Sequence, residues 1–544
     1  MPLPTVNRTD PISQTSWNSG MITTLPPEEL PEDAAALIEN FEFDDIANLS
    51  TRTSPSQLVD TNLGSRILAL FTATFSNGTS KIVFVINTSL ADLYWMNTDG
   101  TSVTKLADDV GPQNQRYYFV MFNDYIIFGY STSADTTGDL QKIDSSGTVS
   151  TLFSSFTSPF PTGSQIVVWN SRLWTFGTDT SGTLNTISGS KINDPTDYVL
   201  DNTDSGAIRI TIEPNDGDSI RAISVFKGNL IVYKSNKIYI VSAISAPATI
   251  PSNLRVDEYA HNIGCIHPAT IQDVLDDQIF LSAQGVTSLT LSALGESKTS
   301  SLSRNIQELG EVKRTTNVFE TAISNSCASL NIKHKQQYWV FVPASLGNGT
   351  DTTWVMDYSD IQKRDEFGFP LVRWSKFTGN IVSSIYAEFI KGTNAYLMVD
   401  DTSTDKDIVL KYDPLTNPTT FTGTHTRRIL SRAFGAATLR TLWLRFAITL
   451  KKLTTSVAYT ISYYYDGYTT SSAGSYSESL TGTPANNNRT IWRSFRKNDS
   501  GKKANLVQID ITANTTDQGF TVKSMAIERT QLNFRRSTTK WNSD

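Results

Sequence analysis

Among the side chains able to bind a metal or attack an electrophile, this chain offers four histidines (His261, His267, His334 and His425) and two cysteines (Cys265 and Cys327). The run His261-Asn-Ile-Gly-Cys265-Ile-His267 gathers three of them. A structural zinc site normally needs four ligands and a second cluster elsewhere. Only Cys327 and His334 remain nearby in sequence, at an unhelpful spacing, so a cysteine at a strand edge beside exposed histidines is the expectation, with no metal. Asn215-Asp-Gly-Asp218 and Asp401–Asp407 look like pieces of calcium loops but lack the EF-hand spacing and its closing Glu. Asp216, Gly217 and Asp218 therefore read as residues of a solvated turn. No Walker A loop, G-x-S-x-G elbow, H-E-x-x-H pair or G-x-G-x-x-G fingerprint before a helix is present. Paired glycosidase carboxylates have no sequence signature and stay open. The chain is read as a non-enzyme with no catalytic residues and no cofactor.

Charge is the next candidate for function. The net charge is −7, but residues 421–544 carry 18 Lys/Arg against 7 Asp/Glu, a balance of +11. The rest then stands at −18, with 28 basic and 46 acidic residues. The basic part holds Arg427, Arg428, Lys451, Lys452, Arg496 and Lys497, with Trp492 and Phe495 interleaved. Such a set can grip nucleic-acid phosphates and stack bases. Scattered over strands rather than set on one recognition helix, it better fits docking of an acidic protein partner, and these six are the candidate docking residues.

The elements that must carry these residues are short β-runs, each entered through a turn. They begin Lys81-Ile-Val-Phe-Val-Ile86, Asn123-Asp-Tyr-Ile-Ile-Phe128, Asn170-Ser-Arg-Leu-Trp-Thr-Phe176 and Lys227-Gly-Asn-Leu-Ile-Val-Tyr233. They continue with Asp276-Asp-Gln-Ile-Phe-Leu281, Gln336-Gln-Tyr-Trp-Val-Phe-Val342 and Asn394-Ala-Tyr-Leu-Met-Val399. A polar turn pair followed by β-branched and aromatic residues is a hairpin strand. Starts about 45–60 residues apart match the period of four-stranded propeller blades. Beyond about residue 420, Leu439–Thr449, Val457–Tyr465, Ile491–Phe495, Val507–Ile511 and Phe520–Ile527 alternate apolar and polar residues, the pattern of a half-buried antiparallel sandwich.

The fold class expected is all-β: a β-propeller-like body with an additional C-terminal antiparallel β-sandwich. At 544 residues, with 39% hydrophobic and 18% charged content, several domains are expected. They are a Pro/Thr/Ser-rich arm over 1–30 that orders only against a partner, a body over 31–420 and the sandwich over 421–544. Leu30-Pro-Glu-Asp-Ala-Ala-Ala-Leu-Ile-Glu-Asn40 has the Pro, the early acids and the propagating Ala run of a helix over 31–40. Ser303–Leu309 is a second helical patch. No apolar run approaches about 18 residues, so no membrane insertion is expected. The opening residues lack the basic and apolar regions of a secretory signal, an expectation of synthesis in the cytoplasm.

Three stretches together resemble one family. They are Leu25–Phe43 leading to Asn48-Leu-Ser-Thr-Arg52, Asp216–Val241, and Gly264–Val274 with Asp277–Val286. In order and spacing they resemble the tail nozzle, or packaged-DNA stabilisation, proteins of short-tailed bacteriophages, over roughly residues 25–290. The resemblance implies a structural virion protein whose subunits close a homo-oligomeric ring, usually a hexamer, below the portal and adaptor. Double-stranded DNA would pass through without specific binding. An acidic body suits a conduit that must not hold phosphates. The alternative is a glycan-binding or glycan-cleaving propeller, with Trp169, Trp174, Trp339, Trp354 and Trp374 stacking on sugars, although aromatics inside strand runs more often belong to the core.

Overall fold

A computed structural model describes residues 11–44, 47–53, 55–130, 140–153, 155–156, 165–177, 185–200, 205–243, 253–293, 301–312, 327–346, 351–364, 370–378, 387–389, 395–400, 407–415, 426–435, 441–452, 457–466, 472–480, 489–495, 503–513 and 519–531. They fall into two units. The larger holds Ser54–Val372 and Phe377–Thr416; the smaller gathers Met1–Thr53, Arg373–Lys376 and Asn417–Asp544.

In the larger unit each β-run read from the sequence is the second strand of an antiparallel blade. These strands are Ser80–Asn87, Tyr125–Tyr130, Arg172–Gly177, Asn229–Lys234, Asp277–Ser282, Gln337–Val342 and Tyr396–Asp400; six of the blades are separate sheets, and the sixth in order, Ala328–Ile332, Gln337–Val342 and Thr352–Asp357, is part of a longer sheet of eleven strands among the described residues. The turns before three of these strands have two successive residues with positive φ. They are Asn123 and Asp124 (49° and 63°), Asn170 and Ser171 (48° and 57°), and Lys227 and Gly228 (47° and 79°). That backbone matches the right-handed twist of a two-residue hairpin, and Asn, Asp and Gly tolerate it best.

The first strands of successive sheets neighbour one another around a circuit. Ile67–Thr74 lies beside Tyr117–Phe122, which lies beside Ile166–Trp169, which lies beside Ile220–Phe226. Gln272–Val274 lies beside Ala328–Ile332, then comes Ala387–Phe389, which returns to Ile67–Thr74. Apolar clusters fill the spaces between faces: Val83, Leu93, Ile126 and Phe128 between sheets 1 and 2, and Trp174, Ile187, Ile223 and Val232 between 3 and 4. Tyr233 and Phe280 meet edge to face, 5.1 Å between centroids, between sheets 4 and 5. Sheets 5 and 6 are stitched by polar contacts instead: Tyr338 donates to the Thr270 carbonyl (2.6 Å), and Asn331 Nδ2 to the Asp273 carbonyl (2.6 Å).

The circuit closes with strands from opposite ends of the unit. Ser56–Asp60 pairs antiparallel with Ile408–Tyr412 and completes the seventh sheet. Asp407, 6% exposed, fixes the start of this pairing. Its Oδ2 accepts from the Leu63 and Gly64 N–H groups (2.7 and 2.9 Å) and from Thr61 Oγ1 (3.3 Å). This is a β-propeller-like body, as the strand spacing predicts.

The smaller unit is a sandwich of two sheets. One contains Phe41–Phe43, Leu49–Thr51, Phe520–Gln531, Thr441–Lys452 and Arg489–Ser494; the other contains Ala34–Glu39, Arg427–Ser431, Leu506–Ala513, Val457–Tyr465 and Gly474–Leu480. Phe446 and Phe495 of the first meet Tyr463 of the second at 6.3 and 5.1 Å, and Phe41 packs on Phe520 at 5.5 Å.

Four sequence expectations change here. The helix over 31–40 is a strand: Ala34–Glu39 pairs antiparallel with Arg427–Ser431, and Ala34, Ala35 and Ile38 are fully buried. Helix propensity differs by only about 0.7 kcal/mol per ordinary residue, and small side chains suit a strand closely covered on both sides. The body therefore starts near 54, and residues up to 53 belong to the sandwich. The described part of the arm is ordered on its own chain. Ile12–Gln14 pairs with the Phe520–Gln531 strand, and Trp17 is fully buried; residues 1–10 lie outside the described residues. The patch at Ser303–Leu309 is helical only at Gln307–Gly310, because Ser303 Oγ accepts from the Val286 N–H and ties the preceding residues to a strand.

Replacing Asp407 by Ala leaves two backbone donors without their carboxylate. The expected cost is about 1.5–3 kcal/mol, read as a lowered denaturant midpoint with earlier loss of amide protection at Ser56–Asp60 than at Ser80–Asn87.

Candidate functional site

The six basic candidates do not gather on one face. Arg427 is 1% exposed, on the inward side of its strand. Arg428 is committed to Asp510, with Nη2 2.7 Å and Nε 3.0 Å from Oδ2, and the Asp510 side chain is 4% exposed. Neither is a docking residue: period-two alternation sets one arginine into the sandwich, and cross-strand geometry hands the other to a buried carboxylate. Lys451 is half-buried; Lys452 is a strand residue whose side chain lies outside the described residues, as do Arg496 and Lys497 entirely. Other basic residues are also taken up within the unit. Burial pushes the Arg432 guanidinium below its ordinary pKa, and burial with the like charge of Arg432 does the same for Arg529. Arg445 is bound by Glu528. The +11 of this segment is therefore a poor measure of its free surface charge.

Among the described residues a dense titratable cluster lies at one end of the fourth sheet, where the Asp216-Gly-Asp218 turn meets the hairpin of Asn229–Lys234 and Lys237–Ala243. Asp218 accepts from the Ser235 and Asn236 N–H groups (3.2 and 2.7 Å), so the turn is structural, but its Asp218 is 8% exposed rather than solvated. Gly217, at φ 74°, supplies the left-handed conformation this turn requires. Lys234, its side chain fully buried, donates to Asp216 Oδ2 (2.9 Å) and to the Glu213 carbonyl (3.0 Å). Lys237 lies 2.7 Å from Glu213, 3.4 Å from Asp216 and 3.9 Å from Glu258, and Glu258 is 3.1 Å from His261 Nδ1. Burial pushes the Asp216 carboxyl up, but hydrogen bonds from Lys234 and the Asp218 N–H outweigh it and hold the pKa below the ordinary value. Hydrogen bonds donated by Lys237 and Tyr239 hold Glu213 low, and the hydrogen bond that Lys237 donates to Glu213 holds Lys237 high. Asp216 and Glu213 each face an ammonium, so the cluster anchors charge rather than leaving a group poised to move a proton.

The His261–His267 run is split by the fold. His261 is exposed, while Cys265 and His267 are fully buried and Cys265 Sγ donates to the His267 carbonyl (3.2 Å). Among the described residues no group of three or more His, Cys, Asp or Glu is placed to hold a metal ion. His425 and Asp401–Lys406 lie outside the described residues. Trp169, Trp174, Trp339, Trp354 and Trp374 are all 5% exposed or less, core residues with no ring face for a sugar. Among the described residues no helix is long and apolar enough to cross a membrane.

The strand pairing defines the class: an all-β protein with a β-propeller-like body and a two-sheet β unit. No family model and no curated protein matches the chain. Among the solved structures that show distant likeness are three of differing coverage. One is PorZ, a bacterial surface component of the type-IX secretion system of Porphyromonas gingivalis (TM-score 0.33, 9% identity, 71% of this chain). The chain spans 43% of the length of that protein. The second is YCF48 bound to D1 peptide (TM-score 0.36, 10% identity, 71% of this chain and 99% of that one). The third is a CBM4 structure (TM-score 0.15, 12% identity, 26% and 72%). All three scores are low, and the strand pairing itself, rather than these likenesses, defines the fold.

Two variants test these assignments. Arg428→Ala strands the Asp510 carboxylate inside the sandwich and is expected to cost about 3–5 kcal/mol, measured by chemical denaturation. Asp216→Asn removes a carboxylate whose folded pKa is lowered. Its contribution is full above the ordinary value of 3.8 and disappears as pH falls through the lower folded value. The stability gap between native protein and variant should therefore be constant at neutral pH and shrink on acidification below that ordinary value.

Proposed function

We propose that this chain is a structural virion protein of a tailed bacteriophage: a subunit of the tail nozzle ring below the portal and adaptor. It forms part of the channel through which double-stranded DNA leaves, and it retains the packaged genome until then. The observation that carries this reading is the way the body is locked. Seven antiparallel blades pack around a circuit, and the last is completed by Ser56–Asp60, brought from the other end of the unit. A load on one sheet is shared by its neighbours, and opening the seventh sheet requires breaking a full strand pairing, as suits a part that resists pressure and performs no chemistry. The resemblance over residues 25–290 supports the same reading, as does the −18 balance outside residues 421–544, because a conduit that bound phosphates would stall its polymer. The inward commitment of Arg427 and Arg428 moves the docking role away from them, to surfaces that the assembly itself must reveal.

Negative-stain electron microscopy of the purified protein, alone and mixed with portal and adaptor proteins, tests this. Closed rings or short tubes with a central hole wide enough for duplex DNA are expected. Dispersed monomers in every mixture would overturn the proposal.

A further inference from the structure

One large aromatic side chain of the sandwich is turned outward. Trp492 is 41% exposed, in the strand Arg489–Ser494. In the register of its sheet it stands opposite Ala447, which stands opposite Ala526, which stands opposite Ser13. Residues opposite one another project on the same face. The row beside the indole is thus two alanines and a serine, of which Ala447 is covered (3% exposed), Ala526 half-buried and Ser13 exposed.

Polar groups flank that row on both sides. On one side the Arg445 guanidinium sits over the indole, 4.4 Å from the ring centroid. It is held there by Glu528, with Nε to Oε2 at 2.6 Å and Nη2 to Oε1 at 2.8 Å. On the other side Thr449 and Thr490 bring their hydroxyls within 3.1 Å of each other, with Ser524 in register beside Thr449. Among the described residues no other ring or cation packs on Trp492.

We propose that this face of the sandwich binds a neutral oligosaccharide at Trp492. A pyranose presents an apolar C–H face, which an exposed indole can cover, and a rim of hydroxyls, which must be matched by donors and acceptors. Arg445 supplies donors, Glu528 acceptors, and Thr449, Thr490 and Ser524 both. The ion pair fixes the planar groups in place before a ligand arrives, which lowers the ordering cost of binding. Because Glu528 cancels the charge of Arg445, the contacts at the indole itself favour a neutral sugar over a phosphate or sulfate, although Lys451 follows two residues beyond Thr449 on the same strand. A single indole among hydroxyls and a closed ion pair gives a protein partner no contiguous apolar patch to bury. The site is separate from the five tryptophans buried in the two cores, and it stands or falls independently of ring assembly.

Isothermal titration of the full-length protein with maltohexaose, cellohexaose and chitohexaose, with chondroitin sulfate as the anionic comparison, tests the proposal. At least one neutral hexasaccharide is expected to bind. Trp492→Ala and Glu528→Gln should each weaken it about ten-fold or more, while Leu275→Ala, at an exposed position in the larger unit, leaves it unchanged. Glu528→Gln keeps the shape of the side chain and guards against a folding defect in Trp492→Ala, and thermal melting checks both. Binding by none of the three sugars, undiminished binding by both variants, or preference for chondroitin sulfate would overturn it.

Discussion

The larger unit depends on one constraint: a circuit of face-packed sheets leaves no face uncovered only if its two ends meet. Here the ends are Ser56–Asp60 and Ile408–Tyr412, far apart in sequence, and the carboxylate of Asp407 holds the chain where they join. Closing so long a loop costs conformational entropy that only many contacts can offset. The face-to-face apolar clusters supply those contacts, and they form together because each sheet has a neighbour on both sides. The second strand of each sheet sits between covered faces, which is why these strands read as nearly continuous apolar runs.

The same logic organises the sandwich, with different partners. Its sheets are completed by residues from both ends of the chain, Ala34–Glu39 against Arg427–Ser431 and Ile12–Gln14 against Phe520–Gln531. The segment Arg373–Lys376 joins them, with Lys376 in parallel register with Glu39 and Trp374 fully buried. Its core is aromatic, built on Phe446, Tyr463, Phe495 and Phe520. Its polar groups divide into two sorts. Arg428 and Asp510 form a pair largely withdrawn from water that holds two strands in place, whereas Arg445 and Glu528 form an exposed pair that shapes a surface. Exposed pairs add little stability, so the second is better explained by what it presents to solvent.

Much of this fold is legible in sequence, and the reason is local. Turn pairs such as Asn123-Asp124 and Lys227-Gly228, followed by β-branched and aromatic residues, fix hairpins without reference to the rest of the chain, so strand identity and blade spacing emerge directly. The alternation in Val457–Tyr465 likewise announces one buried face. Ala34–Glu39 fails as a helix because its preference is weak and the pairing that overrides it comes from a strand almost four hundred residues later in the chain. The candidate docking residues fail for a related reason. Counting charges in a segment does not say which face each occupies, and a one-residue step reverses it.

By itself the sequence determined an all-β chain, the seven recurrent strands, the structural role of Asp216-Gly-Asp218 and the burial of the strand tryptophans, because each follows from turn chemistry or from period-two patterning within a few residues. The tertiary structure alone decided that Asp407 guards the closing strand, that residues up to 53 belong with the C-terminal sheets, that Arg427 and Arg428 turn inward, and that Trp492 faces solvent under Arg445. Each of these depends on which strands become neighbours, and that is set by long-range pairing and mutual burial, which no local window of residues contains.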